Sequence, residues 1–209
     1  MLLLVCTFIF ILPIFPAAAH KVLFNSFLTV IFLTAVAVMD KHRRLFFALA
    51  IVNIIFEWIA HGMDLLILAG ISNVLNILFF MFVVIRMIIQ IARTRRVTAR
   101  VIIESINGYL LLGLAFSLLV AIVMLFQPDA FSFPHSGIEV EAQVSYLSEY
   151  IYYGFVNFTT LGYGDIIPKV PFAKSIAILM SVTGQMYLAI LIAMLVGKYV
   201  GSTSSNSVE

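Results

Sequence analysis

The chain has 209 residues, of which 63% are hydrophobic and 11% charged, and its mean hydropathy is +1.14. A water-soluble domain carries about a quarter charged residues, so this composition excludes a soluble globule and requires a lipid bilayer as solvent. A net charge of only +2 without an extended basic tract excludes a nucleic-acid footprint, and with Cys6 as the sole cysteine neither an intrachain disulfide nor a cysteine metal site can form.

A helix needs about 20 apolar residues to cross the hydrocarbon core. Six stretches qualify, at residues 3–19, 22–39, 45–60, 66–92, 109–126 and 175–196. Each must be helical, because only a helix satisfies its own backbone in lipid. The first also ends in Pro16-Ala17-Ala18-Ala19, small residues suited to signal-peptidase cleavage, but it lacks a basic n-region. It is read as a retained span; cleavage would leave five spans and the same topology. The link Asp40-Lys41-His42-Arg43-Arg44 and the cluster Arg93, Arg95, Arg96 and Arg100 are basic, whereas His61-Gly62-Met63-Asp64 is not. Basic loops stay in the cytoplasm, which places both termini inside and residues 127–174 outside.

Along the fourth stretch Arg86, Gln90, Arg93, Arg96 and Arg100 recur at steps of three or four, on one helical face. A voltage sensor carries several arginines through the membrane field, each charge worth about 2.3 kcal/mol per 100 mV. Here only Arg86 lies within the apolar run, and it can snorkel inward. Glu57 cannot pair with it, since the two differ in depth by about 20 Å. The first four spans thus read as a sensor-like domain with a weak voltage response. Residues 93–106 follow as an amphipathic helix on the inner membrane surface, with Arg100 and Glu104 placed to pair at i, i+4.

The external stretch after the fifth span is no ordinary loop. A polar piece with Pro128, Pro134 and Gly137 precedes a segment, 146–158, long enough for a short helix but too short to span. Thr159-Thr160-Leu161-Gly162-Tyr163-Gly164-Asp165 comes next, and Pro168 and Pro171 break the chain before the last span. A half-helix, an extended glycine-bearing strand and a return outward describe a re-entrant loop, tolerated at membrane depth only where protein buries it or it lines a wet cavity. A cation stripped of water needs replacement oxygens, and a row of backbone carbonyls can supply them. Aiming successive carbonyls at one axis requires backbone angles that alternate in hand, which Gly162 and Gly164 allow without a Cβ penalty. Thr160 can add a hydroxyl at the inner end.

Potassium filters are built from four TVGYG loops, and residues 160–164 depart from that pattern only at Leu161. From Tyr152 to Lys198 the sequence resembles the pore region of the potassium channel family, in particular small bacterial members with a two-helix pore module. The resemblance implies an all-α membrane protein: six transmembrane helices, a re-entrant pore loop and tetrameric architecture, with four strands around one axis. It also implies potassium ions at the carbonyls of Thr160, Leu161, Gly162 and Tyr163, with the Thr160 hydroxyl and Gly164 completing the filter. Tyr152 and Tyr153 fall where the family braces the filter with aromatics, although both also suit an interfacial belt. Thr159 and Asp165 flank the filter, and Asp165 can bond to one of the phenols. Val156 replaces a glutamate found in some members. Gly184 occupies the place of an inner-helix hinge, and close packing against the pore helix explains a glycine there equally well. The implied divisions are a sensor-like domain (1–92), a linker helix (93–106), a pore domain (107–200) and a disordered tail (201–209).

The implied function is passive potassium conduction by a homotetramer in a cell membrane, plasma or bacterial inner, with no cofactor besides the permeant ion. A channel that fails to discriminate sodium and a potassium transporter subunit are the alternatives. The intact Gly-Tyr-Gly disfavours the first, and one near-perfect loop per chain disfavours the second. Asp129, Glu139, Glu141, Glu149 and Asp165 would make the outer mouth negative and enrich cations, or serve only as solvated loop residues. Asn157-Phe158-Thr159 matches a glycosylation sequon but lies within the short helix. No cluster of histidine, serine or carboxylate converges on a catalytic site.

Overall fold

The apolar run beginning at residue 66 holds no proline before position 128, so nothing in it stops a helix except the polar stretch around the arginine cluster. Two long helices result. The computed structural model describes residues 66–94, 98–133 and 146–206 continuously, with shorter helical stretches between residues 5 and 59. Most of the three spans expected before residue 60, the links at 40–44 and 61–64, Arg95, Arg96 and the piece 134–145 lie outside the described residues.

Helix α1 is Leu66–Arg93 and α2 is Ala99–Phe126, each of 28 residues. The expected linker helix at 93–106 is therefore not a separate element. From Ala99 onward it is the first part of α2, because no breaker intervenes and Val101, Glu104, Ser105 and Asn107 are buried rather than laid on a surface. The buried carboxylate of Glu104 accepts a hydrogen bond from Gln90 Nε2 of α1 at 3.2 Å, which offsets part of the cost of burying it. The side chain of Arg100, its expected partner, lies outside the described ones.

After α2 the chain forms β1, Phe131–Ser132, which pairs antiparallel with β2, Ile167–Pro168, in the register Phe131 to Pro168 and Ser132 to Ile167. This two-stranded clip departs from a purely helical expectation. The Lys169 N–H extends it by donating to Ala130 O at 2.8 Å. Between the strands lies α3, Tyr146–Phe158, whose 13 residues reach only about 20 Å.

Helix α4, Pro171–Asn206, has 36 residues and overruns the expected span at both ends. Pro171 opens it, its fixed φ being suited to a first turn. Its other end passes residue 200, where a disordered tail was expected. Extending an existing helix is far easier than nucleating one, and Gly201-Ser202-Thr203-Ser204-Ser205-Asn206 contains no proline to stop it.

Among the described residues, three helical segments are long and apolar enough to cross a membrane: Gly70–Ala92, Val101–Phe126 and Pro171–Lys198. Lipid is as apolar as leucine, so packing and polar bonds rather than hydrophobicity hold such helices together. Phe158 is fully buried at the end of α3, its ring 4.7 Å from Tyr109 and 5.8 Å from Phe116 of α2. Tyr187 Oη of α4 donates to Ser105 O of α2 at 2.9 Å. Lys198 Nζ, near the far end of α4, donates to Ile91 O and, at 3.0 Å, to Ala92 O in the last turn of α1. A cation is favoured there, where the carbonyls of a helix end without partners.

Candidate functional site

The site grows from the last turn of α3. Thr160 N–H donates to Asn157 O at 2.9 Å, and Leu161 N–H donates to Val156 O at 2.9 Å. These are the two bonds of a Schellman cap, which requires a left-handed residue just past the helix and usually finds glycine for it. Here that residue is Thr160, with φ +62°. A β-branched residue rarely adopts this conformation, at a cost of about 1–2 kcal/mol. Gly162 N–H also reaches Val156 O, at 3.1 Å, so the carbonyl of Val156 holds two successive turns of the strand. Thr159 folds back as well, its N–H and Oγ1 both donating to Phe155 O, at 2.9 and 2.7 Å.

Beyond the cap, positive φ recurs at every second residue: Thr160 at +62°, Gly162 at +58° and Gly164 at +77°. The side of the strand that a Cβ would occupy at Gly162 or Gly164 is open, with nothing within 4 Å among the described residues. Thr160, Leu161, Gly162, Tyr163 and Gly164 are all exposed in the single chain.

The outer end is tied back to α3. Tyr152 Oη donates to Asp165 Oδ2 at 2.6 Å, while Asp165 Oδ1 accepts from the Ile166 N–H at 3.0 Å. The phenol bond is the main cause that holds the Asp165 carboxyl below its ordinary value of 3.8, and that pushes Tyr152 up to about 12. Tyr153 plays a different part. Its ring is buried 5.0 Å from that of Phe131, and burial pushes its phenol up to about 12. Its hydroxyl has no partner among the described residues.

The inner end is held by α4. Ser181 Oγ donates to Asn157 O at 3.0 Å, and Gln185 Nε2 donates to Thr160 Oγ1 at 2.8 Å. Between them sits Gly184, where a Cβ would overlap the carbonyl oxygen of Phe158. Positions 181, 184 and 185 share one helical face, and that face closes on residues 157, 158 and 160. Gly184 therefore has a packing reason to be glycine, whether or not the helix bends there.

Residues 159–165 thus form one loop, tied to Tyr152 of α3 at its outer end and packed on α4 near Gly184 at its inner end, while Tyr153 faces Phe131 instead. Sequence reasoning missed Ser181 and Gln185. A signal was present for the second: Gln185 is the one side-chain amide between residues 175 and 196, and a polar group inside a membrane span is by default a functional candidate.

A family model described as "Ion channel" matches residues 108–200. No curated protein and no solved structure matches the chain. The matched stretch takes in most of α2, the β clip, α3, the loop with alternating φ and α4 as far as residue 200, and over this part the chain is similar to an ion channel domain.

Proposed function

We propose that the chain is one subunit of a homotetrameric channel that conducts potassium ions passively across a cell membrane. The observation that carries this reading is the alternation of positive φ at Thr160, Gly162 and Gly164 in a strand hung from the end of α3. Alternating hand is what a strand needs to turn successive carbonyls toward one side, and carbonyls so arranged can replace the hydration shell of a dehydrated cation. In this reading the oxygens of Thr160, Leu161, Gly162 and Tyr163 and the Thr160 hydroxyl hold the permeant ion. Tyr152, Tyr153, Thr159 and Asp165 brace the strand, and Gly164 completes its turn.

A single strand cannot surround an ion, so four copies share one axis. The exposure of the strand supports this, as does the apolar surface of α4, where Ile178, Val182, Met186 and Val196 are each at least 50% exposed. Lipid and neighbouring copies would cover that surface between them. The C-terminal end of α3, with its partial negative charge, aids a cation below the strand. Three further spans before residue 60 complete a six-span subunit with both termini in the cytoplasm. With Arg86 alone inside the apolar run, its voltage dependence is weak.

Reversal potentials of the purified full-length protein in planar bilayers, with potassium on one side and sodium on the other, test the reading. A reversal potential near the potassium equilibrium value is expected. One near zero would make the pore a non-selective cation channel, and the absence of any passive current would favour a transporter subunit.

A further inference from the structure

Thr160 is an uneconomical residue for its position. The cap it forms is made more easily by glycine, and a β-branched side chain in the left-handed region is strained. What threonine supplies and glycine cannot is a hydroxyl at the inner end of the strand. Strain of this kind persists where the surroundings over-determine it, and they do so here. Thr160 N–H is bound to Asn157 O, the next residue is bound to Val156 O, and the hydroxyl is bound to Gln185.

The last contact is built from both sides. Gln185 is the one side-chain amide between residues 175 and 196, and its Nε2 donates to the Thr160 hydroxyl. Gly184 next to it lets α4 approach the end of α3 until the amide reaches the hydroxyl, at 2.8 Å. A hydroxyl oxygen has two lone pairs and one proton and otherwise rotates freely. With an amide N–H on one lone pair, the remaining lone pair and the O–H have fixed directions. The bond is not required merely to join the helices, since Ser181 Oγ already ties α4 to Asn157 O at 3.0 Å.

The geometry points to Gln185 as a positioning residue for the innermost cation site: by fixing the Thr160 hydroxyl, it sets how strongly that site prefers potassium over a smaller ion. This rests on the potassium-channel reading above. Gln185 does not itself touch the ion; it acts through Thr160.

The permeability ratio of potassium to sodium, taken from reversal potentials, is the readout that an anchoring role alone would not move. The experiment compares the full-length wild type, Gln185→Leu, Thr160→Ala and the double variant, with assembly checked by size-exclusion chromatography. Gln185→Leu should assemble and conduct, with its ratio reduced about three- to tenfold, the range of one lost hydrogen bond. In the Thr160→Ala background the same change should alter the ratio less than twofold, because the group it acts through is gone. A wild-type ratio in Gln185→Leu, or the full reduction persisting without the Thr160 hydroxyl, overturns the proposal. If the leucine variant does not assemble, Gln185→Asn carries the test. It keeps the amide but is one methylene too short to reach, so a reduced ratio is again expected and a wild-type ratio overturns the idea. A wild type without potassium preference overturns the channel reading itself, whereas a selective wild type with an unaffected Gln185→Leu overturns this inference alone.

Discussion

At Gly184 a side chain has no room, since a Cβ would overlap the Phe158 carbonyl oxygen; at Gly162 it would meet nothing within 4 Å among the described residues, yet the backbone there has φ +58°. The first glycine serves the crossing of α3 and α4, the second the path of the loop. One region is defined by what presses on it and the other by the angles it holds, although both lie within the stretch that resembles an ion channel domain. Close packing fixes where the loop starts, and chain geometry decides what it presents.

Substitutions separate the two regions. Gly184→Ala should have the largest structural effect, because α4 must move off the end of α3. Overpacking of this sort costs about 1–3 kcal/mol or more, and a marked fall in melting temperature and in the yield of assembled protein is expected. A variant as stable as the wild type would show that the crossing is slack. Gly162→Ala should behave in the opposite way. It forces an L-residue into the left-handed region at a cost of about 1–2 kcal/mol but displaces no neighbour, so assembly should survive while potassium current is abolished. Wild-type current in that variant would detach the loop from conduction.

The smallest effect is expected at the outer end. The Asp165 carboxyl is held low by the Tyr152 hydroxyl, so their bond adds stability above the carboxyl's ordinary value of 3.8 and loses it as pH falls through the lowered value. Tyr152 is raised from 10.0 to about 12, so the same bond is lost again as pH rises through that upper range. Tyr152→Phe should remove both dependences, lowering stability near neutral pH and flattening the part of the acid limb that lies below 3.8. Melting temperature measured against pH would show it, and an unchanged acid limb would mean that Asp165 is held by other groups.

The parts of this fold marked by breakers were legible in the sequence. Helix α3 is found at Tyr146–Phe158, the expected boundaries, and α1 ends one residue past its expected limit. The loop motif and its glycines were equally plain, because glycine permits the positive φ that Gly162 and Gly164 adopt, whereas nothing in a threonine announces the same angle at position 160. The start of α2 was not legible, since charges at Arg100 and Glu104 imitate an interfacial helix while Gln90 of α1 receives the carboxylate within the bundle. The pairing of Phe131–Ser132 with Ile167–Pro168 depends on two residues a side, too few to leave a periodic signal. Gln185 escaped notice for another reason: its partner Thr160 lies 25 positions away, and only the folded chain puts a lone amide beneath a strained threonine.

The attachment of Lys198 to the carbonyls of Ile91 and Ala92 gives α4 a second fixed point. Fourteen positions, about 21 Å of helix, separate it from Gly184. Nothing between them is proline, so that length acts as a rod pinned at its foot to the end of α1 and resting at its head on the carbonyl of Phe158. One uninterrupted helix therefore touches the end of α1 at one level and the turn that leads into Thr160 at another, with no loop in between.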